Sequence, residues 1–161
     1  MADIIGDGKE RWDIVTTIAN IAAPTAAELN AGVRISQWMT KDGATGFVAD
    51  TADAPTSSKE STFQTAVNGM ISLNGPKFKV KRQTPLGSDA AFNAMPTDGT
   101  AFAVRRNSVT AATSYSATQV VDVFPVQFSQ KAKVDQADNM PELYEVPVKI
   151  TSQPRFDVAV V

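Results

Sequence analysis

The side chains of this sequence that could bind a metal ion form one acidic group near the C-terminus. Asp135, Asp138 and Glu142 lie close together around a polar segment that ends at Pro141. Carboxylate oxygens are the ligands that Ca²⁺ and Mg²⁺ prefer, but a hard cation needs several oxygens that converge on one point. This spacing does not impose such convergence, so the sequence favours a solvated acidic loop over a cation site.

A second chemically distinctive group is basic. Lys77, Lys79 and Lys81 alternate with Phe78 and Val80, so in a β-strand the three lysines would share one face. Such a lysine stripe could contact phosphates, but no aromatic side chains are interleaved on its face. Exposed lysines also protect a sheet edge against unwanted pairing. The sequence therefore favours a solvated or edge-protecting stripe, and the remaining interpretation is contact with an acidic neighbouring subunit.

Catalytic chemistry is not indicated by the residues of this chain. Its 161 residues contain no cysteine and no histidine, which excludes disulfides, thiolate nucleophiles, Cys/His zinc sites and histidine-based triads. No phosphate-binding glycine loop, nucleophile elbow or EF-hand spacing is present. We therefore predict no catalytic, metal-binding or cofactor-binding residues and no enzyme activity.

Charge and hydropathy argue against two further classes. Fifteen basic and 17 acidic residues give a net charge of −2, so the whole molecule is not an electrostatic nucleic-acid binder. No apolar run approaches the roughly 20 residues of a membrane span, and the N-terminus lacks the basic start and apolar block of a secretory signal. We expect no membrane partner, and a single domain over residues 1–161.

Alternating apolar residues in the last third of the chain predict a core built from β-sheet. Two long strands are expected, at residues 120–133 and 143–151. Pro125 and Pro147 lie inside them and indicate bulges or edges, because proline cannot donate a ladder hydrogen bond. With shorter strands earlier in the chain, about seven strands favour a mainly β fold, a β-sandwich or barrel.

One short α-helix is predicted to flank the sheet at residues 23–32. Thr25 and Glu28 form the T-x-x-E capping box, and Gly32 follows at the position of a C-terminal stop. A further helical turn, capped by Ser88, is expected at residues 88–95.

Two segments lack the pattern of a strand or a helix. Residues 1–10 are acidic and contain glycine, and we expect a flexible N-terminal arm. Residues 41–61 are polar with few apolar anchors, and we predict a long polar loop that a partner orders. Loops of this length are uncommon in compact domains and are usually functional or disordered.

The segment Ile21–Trp38, with the sequence IAAPTAAELNAGVRISQW, resembles the N-terminal region of major tail tube proteins from long, non-contractile-tailed bacteriophages. It is most similar to those of phages infecting actinobacteria, in which a strand precedes a short P-T-x-x-E-L-x-x-G helix. The similarity continues more weakly through Asn68–Leu73 and the strand-rich region Gln119–Ile150.

The resemblance implies a structural protein of the virion. In that family a β-sandwich flanked by a helix forms rings of six subunits, whose sheets join into a continuous barrel, and the rings stack into a tube. The tube encloses the tape-measure protein, meets the tail-end proteins and conducts DNA into the host without specific binding. Assembly would take place in the host cytoplasm.

The resemblance also implies roles for particular residues. The 41–61 loop would lie between subunits and rings, and the lysine stripe would contact another subunit away from the lumen. Acidic side chains would line the lumen, because a conduit for DNA should not bind phosphate strongly. The candidates are Lys41, Asp42, Phe47, Val48, Asp50, Asp53, Lys59 and Glu60 for the loop, Lys77, Lys79 and Lys81 for the stripe, and Asp122, Glu142 and Glu145 for the lumen.

Two alternatives remain open from the sequence. Another β-sandwich component of the virion, such as a capsid decoration protein or a tail terminator, would form a trimer or a single ring and would not polymerise. A monomeric, adhesin-like binding module would expose a ligand-binding loop at residues 41–61 or 107–117. The oligomeric state distinguishes these hypotheses.

Overall fold

A computed structural model describes residues 6–161 and confirms the predicted mainly β fold. The described residues form two short helices, α1 (Ala26–Asn30) and α2 (Ala90–Ala94), and eleven strands. The strands are β1 (Arg11–Val15), β2 (Val33–Arg34), β3 (Met39–Thr45), β4 (Ala49–Pro55), β5 (Ala66–Leu73), β6 (Lys77–Lys81), β7 (Thr100–Arg106), β8 (Val120–Phe128), β9 (Ala132–Lys133), β10 (Leu143–Ile150) and β11 (Arg155–Ala159).

Nine strands form one curled antiparallel sheet, in which seven follow the order β2-β1-β7-β8-β10-β6-β3 and β9 and β11 lie off this path. The centre is β8, which pairs with β7 on one edge and with β10 and β11 on the other. β10 pairs with β6 over residues 143–147 and with β8 over residues 148–150, and β9 pairs with β10 as well. β10 thus joins the half of the sheet that contains β2, β1, β7 and β8 to the half that contains β6 and β3. The sheet curls at β10 into a half-barrel.

The two strand prolines lie where strands change partners. Pro147 is the last β10 residue paired with β6, and Val148 begins the pairing with β8. On the β10 side of β8, Pro125 lies between the residues paired with β11 and those paired with β10. The missing N–H of each proline therefore falls at a break in a ladder, which is the kind of position that the sequence led us to expect.

Four aromatic rings fill the inside of the half-barrel. Trp12 of β1, Phe78 of β6 and Phe124 of β8 meet Phe47, which follows β3. The ring centroids in contact are 4.7–5.8 Å apart, and each residue is at most 3% exposed. Tilted and edge-on pairs of this kind contribute about 0.5–1.5 kcal/mol beyond the area that they bury. The cluster ties together strands from both halves of the sheet.

A second apolar layer covers the outer side of β1, β7 and β8. Leu29 of α1 is completely buried there, against a cluster that contains Val15, Val104 and Val121. The C-terminus closes this layer, because Val161 donates its backbone N–H to the Pro24 carbonyl and accepts from the N–H of Ala26. This side of the sheet is thus covered by the chain itself.

The capping box predicted for α1 is confirmed. The Glu28 backbone N–H donates to Thr25 Oγ1 at 3.3 Å, and the Glu28 carboxylate accepts the Thr25 backbone N–H at 2.9 Å. The helix is shorter than residues 23–32 because a capping Thr25 requires it to begin at Ala26. A Cβ at Gly32 would lie 2.7 Å from Val15 Cγ2, so glycine lets the helix end approach β1 closely.

The helical turn expected at residues 88–95 is a second α-helix, α2, and its cap differs from the expected one. Asp89 accepts the backbone N–H groups of Phe92 and Gln83 at 3.0 and 2.9 Å, whereas Ser88 belongs to the preceding 3₁₀ turn. Asp89 is fully buried. Asp89, rather than Ser88, is the N-cap of α2 because its carboxylate also binds the backbone just after β6.

The structure places strands in most of the segment predicted as a long polar loop, residues 41–61. Residues 41–45 belong to β3, which pairs with β6, and residues 49–55 form β4, which pairs with β5. A strand that is exposed on both faces satisfies its backbone by pairing but has no need for alternating apolar side chains. The periodicity that identifies a half-buried strand is therefore absent, and within residues 41–61 only residues 46–48 and 56–61 lie outside strands.

The predicted flexible N-terminal arm, residues 1–10, is described only in part. Residues 1–5 lie outside the described residues. Gly6 to Lys9 form a turn closed by a backbone hydrogen bond of 3.0 Å, and the Gly8 carbonyl accepts the N–H of Ala111. The described part of the arm is thus attached to the loop that follows β7.

Replacing a ring of the aromatic cluster should strongly destabilise the fold. Phe78→Ala removes a fully buried side chain and should lower the free energy of unfolding by about 3–5 kcal/mol in urea titrations. Phe63→Ala is the matched control, because Phe63 is 78% exposed and its loss should change stability by no more than about 0.5 kcal/mol. Equal effects of the two substitutions would contradict this description of the core.

Protonation of Glu28 should weaken the start of α1. Its carboxylate accepts from the backbone N–H groups of Ala19 and Thr25 and from the Thr25 hydroxyl, and these hydrogen bonds lower the pKa of Glu28 below the ordinary 4.5. The carboxylate therefore stabilises the fold above pH 4.5, and this contribution is lost as the pH falls through the folded-state pKa. The stability difference between wild type and Glu28→Gln should shrink on acidification. A difference that stays constant from neutral pH to pH 3 would contradict this assignment.

Candidate assembly surface

The strands β4 and β5 form a separate two-stranded ladder, residues 49–73, which we call the hairpin arm. They pair antiparallel from Ala49 opposite Leu73 to Pro55 opposite Ala66. Within residues 6–161, neither strand pairs with any other strand. Both outer edges of the arm therefore present backbone N–H and C=O groups with which another chain could pair.

The hairpin arm exposes large apolar side chains that the described chain does not cover. Five of the ten exposed large hydrophobic residues lie on it or beside its root, with exposed fractions of 56–82%. They are Val48, Phe63, Val67, Met70 and Ile71. A concentration of exposed apolar residues marks an interaction surface, and an isolated two-stranded hairpin is at best marginally stable in water. The arm thus has the properties of a segment that a second chain covers.

The root of the arm is held firmly by the core. Phe47, two residues before β4, belongs to the aromatic cluster. Gly46 has a φ of +77°, and a Cβ there would lie 2.6 Å from the Asn74 carbonyl oxygen. Only glycine adopts this conformation without strain in such a narrow space. The direction in which the arm leaves the half-barrel is therefore set by buried residues.

The eight residues predicted to contact other subunits are distributed over several places. Phe47 requires a correction, because it is 3% exposed and anchors the arm from inside the core. Asp42 lies 3.5 Å from Lys79 in an ion pair. Lys41 and Asp42 belong to β3, Val48 lies at the root of the arm, Asp50 and Asp53 lie along β4, and Lys59 and Glu60 lie in the loop at its tip.

The lysine stripe lies on β6 as the alternation predicts, because Phe78 and Val80 between its members are fully buried. Lys77 Nζ lies 3.0 Å from a carboxylate oxygen of Glu145, and Lys79 forms the ion pair with Asp42. Two of the three lysines are therefore partly neutralised by the chain itself.

The three acidic residues predicted to line a lumen are each paired with a cation. Asp122 lies 2.7 Å from Arg105, and Glu142 lies 3.0 Å from Lys133. Glu145 is paired with Lys77, as described above. Asp122 belongs to β8 and Glu145 to β10, so the structure does not gather them into one acidic patch. Because Glu145 and Lys77 are bonded, a lumen lined by Glu145 would also contain Lys77. For this pair, the expectation of a lumen-facing Glu145 therefore conflicts with that of a Lys77 outside the lumen, whereas Asp122 and Glu142 are paired with cations outside the stripe.

The sequence pattern did not reveal a buried polar network beside β1. Asp13, which is fully buried, accepts from Arg11 Nε at 2.6 Å and from the Tyr115 hydroxyl at 2.6 Å. Burial, and then the charge of Asp13, raises the pKa of Tyr115, so its hydroxyl remains a donor. Arg106 donates to the backbone carbonyls of residues 110, 113 and 114. The network holds the loop at residues 107–117. The sequence feature that could have revealed it is the charged Asp13 within the otherwise apolar core of β1.

A family model described as "Phage tail tube protein" matches residues 1–161 of the chain. The chain belongs to the phage tail tube protein family. It is therefore a structural protein of the virion, as the sequence resemblance implied, and its family is not known to be enzymatic. The family match does not extend to long non-contractile tails, actinobacterial hosts or the tape-measure protein, which remain predictions.

A similar solved structure comes from another phage-like assembly. This tail tube protein matches a chain in the cryo-EM structure of the anti-feeding prophage baseplate, 6-fold symmetrised, with a TM-score of 0.60 and 10% sequence identity over 98% of both chains. At this identity the likeness shows a shared fold alone. No curated protein sequence matches the chain.

Residues 6–161 contain no group of three or more Asp or Glu side chains that could hold a metal ion. Among the helices of the same residues, none is long and apolar enough to cross a membrane.

Removing the charge at the centre of the polar network should destabilise the protein. Asp13→Asn leaves the Arg11 guanidinium buried without its anion and should lower the free energy of unfolding by about 3–5 kcal/mol. Asp138→Asn is the control, because Asp138 is exposed and its substitution should have an effect within about 0.5 kcal/mol. Chemical denaturation of both variants measures the difference. If Asp13→Asn were as stable as the control, the network would not hold the loop.

Proposed function

We propose that this chain is the repeating subunit of a phage tail tube and that it assembles with copies of itself into rings of six that stack. Membership of the tail tube family supports the tail location, and the fold shared with a chain of a 6-fold symmetrised assembly supports the symmetry. The observation that carries the proposal is the hairpin arm, which is exposed on both faces and unpaired at both edges.

The apolar side chains of the arm supply the driving force. Burial of a side chain such as valine, isoleucine or methionine contributes about 1.5–3 kcal/mol relative to exposure. A neighbouring subunit that covers several of the five exposed residues would therefore stabilise both the contact and the arm. An unpaired strand edge adds backbone hydrogen bonds with a defined register. These features fit the role proposed for residues 41–61, namely contacts between subunits and between rings.

The half-barrel also leaves the sheet open at its ends. β3 is the last strand at one end of the sheet and β2, of two residues, at the other. Joining the sheets of adjacent subunits would remove these edges, as closure does in other β-barrels. A continuous barrel around a central lumen satisfies the backbone groups that one chain leaves unpaired.

The charge arrangement suits a lumen through which DNA passes. Strong phosphate binding would hold the DNA, whereas a face of paired acids and bases is close to neutral. Asp122, Glu142 and Glu145 remain our candidates for the lumen, each with its cation. Tape-measure protein, and later DNA, would occupy the channel, tail-end proteins would close it, and the tube would assemble in the host cytoplasm.

Electron microscopy and sedimentation velocity of the purified protein at rising concentration test the proposal. Wild type should form rings and tubes with a central channel. Met70→Ser should shift assembly to at least about tenfold higher concentration, since it removes roughly 1.5–3 kcal/mol of burial per contact. Met140→Ser is the matched control, because Met140 is also exposed but lies outside the arm.

The alternative functions predict different particles. Single rings that never stack would indicate a tail terminator, and trimers would indicate a capsid decoration protein. A chain that stays monomeric at every concentration, and also when tail ends are added as a template, would overturn the proposal and favour a binding module.

A further inference from the structure

A cleft of about 350 Å³ lies between α2, the end of β6 and the segment that connects β8 to β9. Its walls include Arg82, Phe92, Lys131 and Tyr144, and we call it the cationic cleft. Arg82 lies over the Phe92 ring with its Cζ 3.5 Å from the centroid, and Lys131 Nζ lies 3.4 Å from the same centroid. Two positive charges thus share one aromatic ring.

The positive charge of the cleft is not fully compensated by the chain. The buried anion beside it is Asp89, 3.5 Å from Arg82 Nη1, and the Asp89 oxygens already accept the backbone N–H groups of Gln83 and Phe92. Lys133, at the rim, is paired with Glu142. Burial, and then the neighbouring charge of Arg82, lowers the pKa of Lys131. An incoming anion would relieve both the repulsion and the desolvation of these cations.

Two buried polar atoms of the cleft have no hydrogen-bond partner among the described residues. Tyr144 is 3% exposed, and neither its hydroxyl nor Arg82 Nη1 has a hydrogen-bond partner among the described residues. A buried donor without an acceptor is unfavourable, and most buried polar groups in proteins are satisfied. An anion is the ligand that could accept from a guanidinium, an ammonium and a phenol together.

We propose that the cationic cleft is an anion-binding site and that it receives the carboxylate of Glu60 from the hairpin arm of a second copy of this chain. This inference rests on the proposed function, in which copies of the chain contact one another through the arm. The contact would be a charge-assisted hydrogen-bonded pair between Glu60 and the Arg82 and Lys131 groups.

Three properties of Glu60 support it as the occupant. It lies at the exposed tip of the arm, whereas Asp50 and Asp53 lie along β4, and among the described residues it forms no ion pair. The β4–β5 ladder holds Glu60 at the end of the arm that is remote from its root, since eight residues of β5 extend roughly 26 Å. Phe63 lies three residues further along and is 78% exposed, which offers an apolar side chain to the exposed Leu86 at the rim of the cleft.

Binding of a fluorescent peptide with the sequence of residues 56–65 to the full-length protein tests the site directly. The measurement is polarisation at concentrations where sedimentation shows no assembly. We expect saturable binding, weakened about tenfold or more when glutamine replaces glutamate at the Glu60 position of the peptide or when the protein carries Lys131→Gln, because each change leaves a desolvated charge without its partner. Lys149→Gln, an exposed lysine elsewhere, should bind as wild type.

Tyr144→Phe separates a binding role from a structural one. Because its hydroxyl has no hydrogen-bond partner within residues 6–161, the substitution should leave the melting temperature of the isolated chain unchanged or raised, while peptide binding weakens several-fold. Inorganic phosphate, titrated against chloride at equal ionic strength, provides the competing source of an anion. Binding of phosphate with no preference between the glutamate and glutamine peptides would overturn the proposal, and so would peptide binding that is insensitive to Lys131→Gln.

Tube assembly provides the second arm of the experiment. Glu60→Lys and Lys131→Glu should each impair assembly, and the double variant should recover it, because the pair is restored with reversed polarity. Wild-type tubes together with unimpaired single variants would refute this inference and leave the proposed function intact. A wild type that stays monomeric, also when tail ends are added as a template, would refute the proposed function, while the peptide experiment would still decide whether the cleft binds the carboxylate.

Discussion

The structure depends on the packing of Trp12, Phe47, Phe78 and Phe124 inside a sheet that would otherwise be an open ribbon. The two halves of the sheet are joined by backbone hydrogen bonds only where β10 pairs with β8 and with β6. These hydrogen bonds do not bring the inner faces of the two halves into contact. The four rings join those faces, and Phe47 also anchors the hairpin arm. The same interaction that stabilises the half-barrel therefore orients a segment that the half-barrel does not cover.

The chain distributes its apolar surface unequally between itself and its neighbours. The outer side of β1, β7 and β8 is closed by α1 and the C-terminus, while the arm keeps Met70 and Ile71 in solvent. A protein that works as a monomer rarely exposes so many large hydrophobic residues on one hairpin. In the proposed tube a second copy would cover the arm, so its exposed apolar surface would be buried only on assembly. The cationic cleft shows the same feature in its polar groups, since the Tyr144 hydroxyl and Arg82 Nη1 have no hydrogen-bond partner among the described residues.

The sequence predicted the parts of this fold in which side chains alternate between core and solvent. Phe124, Val126 and Phe128 formed a recognisable apolar face on β8, and the T-x-x-E pattern located α1. Strand β4 of the hairpin arm was missed because both its faces are exposed, so its sequence shows no alternation of apolar and polar side chains. We nevertheless expected a partner to order residues 41–61, since a long segment with few apolar anchors is uncommon in a compact domain. The cationic cleft could not be predicted, because Arg82, Phe92, Lys131 and Tyr144 come together only through tertiary packing.

Hydrogen–deuterium exchange, followed by mass spectrometry, tests most directly whether a second subunit covers the arm. In the dispersed protein, amides of β4 and β5 should exchange within seconds to minutes, while those of β7 and β8 should be protected by the core. In assembled particles, the arm should gain protection comparable with that of the half-barrel. Strong protection of the arm in the dispersed chain, or rapid exchange that persists after assembly, would contradict the role of the arm as the contact between subunits.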